Sequence, residues 1–160
     1  MNNIRPVSIF LPFLGVFLGY ISCLITSILV EMGMPNKGVL GTITFPVAEE
    51  LIKLFLVLIF LGFYGLTFEE SIILGFMTGV GFRVFEMQIK TRSGPSFLLG
   101  SLGHGLWLCT SLKGYFRYRE SGNLLELSWI LVVILFHFGY NLYAGGNILI
   151  WRDFCIRFIL

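Results

Sequence analysis

Two adjacent carboxylates and a lysine stand at the head of an apolar run. The stretch is Pro46-Val47-Ala48-Glu49-Glu50-Leu51-Ile52-Lys53, and residues 54–63 after it carry no polar side chain. An ionised side chain inside a bilayer span costs at least ~2.5–3.5 kcal/mol on insertion scales, so it is rare and by default marks a functional site. Lys53 lies one helical turn beyond both acids, and a structural ion pair is the plain alternative. One lysine, however, cannot neutralise two carboxylates. Because Lys53 follows Glu49 by four residues, the helical spacing predicts a Lys53–Glu49 pair that leaves Glu50 freer for chemistry.

Composition makes the bilayer the natural setting. Hydrophobic residues are 56% of the 160 and charged residues 12%, about half the charged fraction of roughly 25% usual in soluble domains. Mean hydropathy is +0.88. The length accommodates about five spans of ~20 residues with short loops. The expectation is therefore an all-α, multi-pass bundle forming a single integral membrane domain over residues 1–160, with the lipid bilayer as its partner. A net charge of +2 implies no nucleic-acid partner. Cys23, Cys109 and Cys155 are far apart in apolar surroundings and form neither a disulfide framework nor a CxxC metal motif.

Taken in order, residues 7–30 read as the first span, with Gly15 and Gly19 at a spacing that lets helices approach closely. This run is too long for a signal-peptide core and lacks a small-x-small cleavage site. Pro46 suits the first turn of a helix, so the second span is expected to start there, with Glu49 and Glu50 near the positive end of its dipole. Residues 38–45 then become a re-entrant or interfacial loop. Residues 65–70 turn the chain, with Glu69 and Glu70 exposed beyond the membrane. The third span, residues 71–89, holds Gly75, Gly79, Gly81, Arg83 and Glu86, and Arg83–Glu86 is an i,i+3 pair. Residues 96–115 form the fourth span with His104, and residues 117–122 a polar turn. The fifth span, residues 124–143, puts His137 and Asn141 on one helix face. Residues 147–160 read as a short interfacial helix with snorkelling arginines.

Depth tests whether these polar residues meet. With successive spans alternating in direction, Glu50 lies roughly 6 Å from one membrane side, Glu86 about 5 Å, His104 about 12 Å and His137 about 9 Å, at 1.5 Å rise per residue. All four fall in the same half of the bilayer, from four different helices, and the histidines are the only two in the chain. One shared polar site follows. Paired acids and imidazoles serve general acid–base work. Water activated by a glutamate, with a histidine assisting and an Asn or His stabilising the oxyanion, suffices for peptide hydrolysis. The same residues could instead hold a divalent metal, although no HExxH is present. No nucleophile elbow or Cys–His neighbour favours a covalent route.

The ordered set Pro46, Glu49-Glu50-x-x-Lys53, Gly79-x-Gly81-Phe82-x-x-x-Glu86, Gly103-His104 with Lys113-Gly114, and His137-x-x-Tyr140-Asn141 resembles the PrsW family of intramembrane proteases. That family is similar to the CAAX-processing and bacteriocin-processing (CPBP) glutamic proteases. The resemblance covers about residues 45–141. It implies a peptidase in a cell membrane acting on a membrane-anchored protein or peptide substrate. No cofactor is expected, and no metal either, since no ligand set of recognised metal spacing is present. Carried over, Glu49 or Glu50 activates water, Glu86, His104 and His137 support it, Asn141 can donate to the oxyanion, and Lys53 and Arg83 assist. Met87 stands where the family often has Asn, and Tyr140 where Trp is common.

Three rival functions remain from the residues alone. A non-catalytic scaffold or immunity-type relative would use the cluster only to hold helices together. A metal-dependent membrane protease would use the same ligands differently. A transporter or proton relay is disfavoured because no inverted repeat or paired broken helices are evident.

Overall fold

The computed structural model describes residues 6–33, 38–90 and 96–144. They form five α-helices: α1 (Pro6–Glu31), α2 (Gly38–Tyr64), α3 (Phe68–Lys90), α4 (Ser96–Ser121) and α5 (Ser128–Ala144). A 3-10 turn at Leu124–Leu127 leads into α5, and Asn123 caps it by accepting from the Leu125 amide. No strand occurs among the described residues. Two stretches, Ile9–Glu31 and Leu124–Leu142, are long and apolar enough to cross a membrane.

Several boundaries differ from the sequence expectation. Helix α2 begins at Gly38 and runs through Pro46, so residues 38–45 are helical and not a loop. Pro46 lacks the N–H that would bond the Thr42 carbonyl, yet the helix continues through it and loses only that one backbone bond. Glu49 and Glu50 consequently lie well inside the helix, beyond the reach of its N-terminal dipole, which fades within the first turn. Helix α4 continues to Ser121 and stops at Gly122, whose φ of 68° a glycine adopts without strain. Glu70 is buried rather than exposed. Its Oε2 accepts from the Thr67 amide at 2.9 Å while Thr67 Oγ1 accepts from the Glu70 amide at 3.2 Å, a reciprocal cap at the start of α3. The interfacial helix expected at residues 147–160 lies outside the described residues.

The helices pack with their apolar side chains outward and their polar side chains inward. Phe13 is 76% exposed, Phe55 63% and Phe136 67%, whereas Lys53, Glu49, Glu50, His104 and His137 are all at most 1% exposed. A soluble protein shows the opposite arrangement, and contiguous apolar surface on this scale fits contact with lipid. A small apolar core of Leu11, Leu18, Leu54, Val57, Leu74, Leu108 and Leu112 lies inside the bundle.

Helix α3 is central: α1 packs along one side of it and α4 along another. Both contacts are backbone-close. A Cβ at Gly19 would meet the Phe82 amide and the Thr78 carbonyl of α3, and a Cβ at Gly79 would meet the His104 carbonyl and the Gly105 amide of α4. The second approach fixes the height and rotation at which His104 enters the interior. Gly79→Ala should therefore push α4 away from α3, since neither backbone can step aside, at the ~1–3 kcal/mol typical of overpacking. Gly62→Ala, whose Cβ meets nothing within 4 Å, should instead gain the ~0.5–1 kcal/mol helical preference of alanine. Thermal unfolding in detergent measures both, and unchanged midpoints for Gly79→Ala would contradict this packing.

Candidate functional site: a buried Glu–His–Lys cluster

Helices α2 to α5 each send ionisable side chains to one point. From α2 come Glu49, Glu50 and Lys53, from α3 Arg83 and Glu86, from α4 His104 and from α5 His137. At the centre is Glu50 Oε1. It accepts from Lys53 Nζ at 2.5 Å and lies 2.8 Å from His137 Nδ1. His104 Nδ1 is 3.7 Å from the same oxygen and 2.9 Å from Lys53 Nζ.

Lys53 thus pairs with Glu50 and not, as the i,i+4 spacing predicts, with Glu49. On this helix the i,i+3 partner faces the interior, where His104 offers the ammonium a second acceptor. An ammonium has donors only, so the contact assigns His104 Nδ1 as an acceptor and puts its ring proton on Nε2. That nitrogen points to Glu86, whose Oε2 is 3.7 Å away. Glu86 Oε2 also accepts from Arg83 Nη1 at 2.6 Å, the expected i,i+3 pair. The other nitrogen of His137, Nε2, lies 3.3 Å from Glu49 Oε2. Both histidines therefore face one acid or ammonium with Nδ1 and a different acid with Nε2.

Aromatic rings wall the cluster. Trp107, three residues after His104 on α4, stacks on His137 with centroids 4.7 Å apart and meets His104 edge-on at 5.0 Å. The Lys53 ammonium sits 4.7 Å from the centroid of the Phe82 ring, a favourable cation–π distance. Neither ring was assigned a role from sequence, although the i,i+3 spacing of His104 and Trp107 places them on one face. Asn141 is half-buried one turn beyond His137, and no hydrogen bond joins it to the cluster among the described residues.

The two neighbouring glutamates have different surroundings. A cavity of about 240 Å³ lies between α1, α2 and α3, lined by Cys23, Thr26, Ser27, Val30 and, at the end of the helix, Glu31 of α1, Phe45 and Glu49 of α2, and Phe82 and Glu86 of α3. Glu49 and Glu86 reach it; Glu50, Lys53 and both histidines do not line it. The part played by α1 has no counterpart in the sequence reading, because hydroxyls and a cysteine spaced along a helix look the same whether they face a neighbour or a cavity. Thr26 and Ser27 bond back to the carbonyls of Ser22 and Cys23, which leaves their oxygens able to accept from a ligand.

Glu50, His104 and His137 also bring ligand atoms within 4.8 Å of one another, close enough to hold a metal ion. The depth argument brought these three residues together, but which of their atoms meet depends on how three helices rotate and is settled only by the fold. Comparison with known proteins returns no relative: no protein-family model, curated protein or solved structure matches the chain.

Proposed function

We propose that the chain is a multi-pass integral membrane peptidase of the glutamic type, with Glu49 as the base that activates water. All five helices would lie in a cell membrane, including α2, whose charges are all gathered into the cluster, α3, which sends Arg83 and Glu86 to it, and α4, whose charged residues Lys113, Arg117, Arg119 and Glu120 lie in its C-terminal half. The outward apolar and inward polar arrangement supports this setting, as does the resemblance to the PrsW family. The observation that carries the reading is the division between the two acids. Glu50 is locked between Lys53 and His137, whereas Glu49 borders the cavity together with Glu86.

In this reading a water in the cavity gives a proton to Glu49 as its oxygen bonds to the carbonyl carbon of the substrate peptide. The C–N bond then breaks, and the proton passes to the leaving amine. His137, 3.3 Å from Glu49, is positioned to share that proton, and Glu50 holds the ring from its other side. Arg83 orients Glu86 at the second acidic wall. The substrate is a membrane-anchored protein or peptide entering from within the bilayer.

The division between the acids sets two expectations. Glu49→Gln keeps size and packing but removes the base, so cleavage of a membrane-anchored reporter in liposomes should fall ~10²–10⁴-fold with little change in thermal stability. Undiminished cleavage by Glu49→Gln would remove Glu49 as the base, and no cleavage by the wild type would remove the peptidase reading and leave a scaffold. Glu50→Gln should act first on stability, because it leaves the Lys53 ammonium buried without its counter-charge; breaking such a pair costs about 3–5 kcal/mol. The two unfolding midpoints, measured side by side, check the assignment: Glu49→Gln proving the less stable would reverse the roles.

A further inference from the structure

The surroundings of Glu50 have the layout of a metal centre in which the metal's position is already taken. Ligands about 2.1 Å from a tetrahedral metal lie roughly 3.4 Å apart. Glu50 Oε1 stands 2.8 Å from His137 Nδ1 and 3.7 Å from His104 Nδ1, on either side of that spacing. Metal-binding histidines almost always offer their second ring nitrogen to a carboxylate, which fixes the tautomer. Here that pattern is present twice: His104 Nε2 faces Glu86 at 3.7 Å and His137 Nε2 faces Glu49 at 3.3 Å. Glu50 Oε2 is buried with no hydrogen-bond partner among the described residues, so the carboxylate retains a free coordinating oxygen.

Between these ligand atoms sits a lysine. Lys53 Nζ bridges Glu50 Oε1 and His104 Nδ1 at 2.5 and 2.9 Å, and its side chain is completely buried under Phe82. A divalent cation bound by the same two atoms would lie within about 2–3 Å of the ammonium, where repulsion between unscreened like charges is severe. Fully buried, the lysine cannot move aside unless the packed side chains around it move too.

We propose that Lys53 is the resident cation of a His–His–Glu metal-type site: it positions Glu50 and His104 as a metal would, and it excludes divalent metals from the native protein. The substituent it replaces is a borderline-soft divalent ion such as zinc or cobalt, which two imidazoles and a carboxylate suit. The inference rests on the cluster geometry alone and stands or falls independently of the peptidase reading, because its readout is metal binding and not cleavage.

Cobalt(II), whose visible absorption reports its ligands, is the probe. Wild-type protein in detergent should show no cobalt band arising from this site. Lys53→Met, similar in length but uncharged, should bind one equivalent with the absorption of an imidazole–carboxylate complex. The band should disappear in Lys53→Met/His104→Ala. Lys53→Met should also be less stable than wild type and regain thermal stability with zinc, which restores the missing positive charge. Three results would overturn the proposal: stoichiometric cobalt binding by wild type that is lost in His104→Ala, a folded Lys53→Met that binds no metal, or a Lys53→Met that remains unfolded when prepared with zinc.

Discussion

The contact between Lys53 and Glu50 is the interaction on which the interior depends. Two full charges with no access to water are costly to bury, and only close pairing with further hydrogen bonds offsets the loss of hydration. Lys53 meets that requirement with Glu50 and His104, and Glu50 meets it with Lys53 and His137. In the bilayer setting proposed above, four helices would not have to come together for their apolar faces, which lipid would solvate as well. They have to come together for these groups. The polar cluster consequently specifies the association of α2, α4 and α5 in a bundle whose outer surface is apolar, with Gly79 setting how closely α3 and α4 can approach.

Burial of this cluster has a chemical consequence. Adjacent residues on a helix point about 100° apart, so Glu49 and Glu50 cannot share one environment. Once Glu50 turns to the lysine and the histidines, Glu49 is carried round toward α1 and the cavity that Cys23, Thr26 and Ser27 help to line. Two carboxylates, identical in chemistry, are thereby separated into one that organises the interior and one that borders open space. His137 connects them, with one ring nitrogen toward each. Trp107 stacks on that imidazole and limits its rotation, so the orientation on which any proton transfer relies is held by packing as well as by charge.

How much of this was legible from residues alone divides along a physical line. Helicity, an apolar exterior and the gathering of Glu50, Glu86, His104 and His137 follow from local facts: long apolar runs, the 1.5 Å rise of a helix, and the depth at which each polar residue occurs. In a bilayer, whichever way the helices rotate, groups at equal depth that must avoid lipid would have few places to go. The close glycine contacts were equally visible as small residues at helical spacing. Helix boundaries were less so. Pro46 carries a strong local signal for a helix start, yet α2 continues through it, tertiary context overriding the local preference.

Rotation and partner choice were decided only by the tertiary structure. On an isolated helix an i,i+4 lysine prefers Glu49, by a few tenths of a kcal/mol. The imidazole of His104, 51 residues away on another helix, gives the ammonium a second acceptor beside Glu50, and burial makes that far larger than the local preference. The same holds for Trp107 over His137, for the α1 wall of the cavity and for the three-helix ligand set around Lys53. Each depends on which faces meet, and helical periodicity gives the composition of a face without saying what lies opposite. The sequence by itself determined that charged groups would be buried together at one depth; the fold determined which of them are bound to one another and which faces the cavity, because pairing in a low-dielectric interior is set by distances between helices that no single helix encodes.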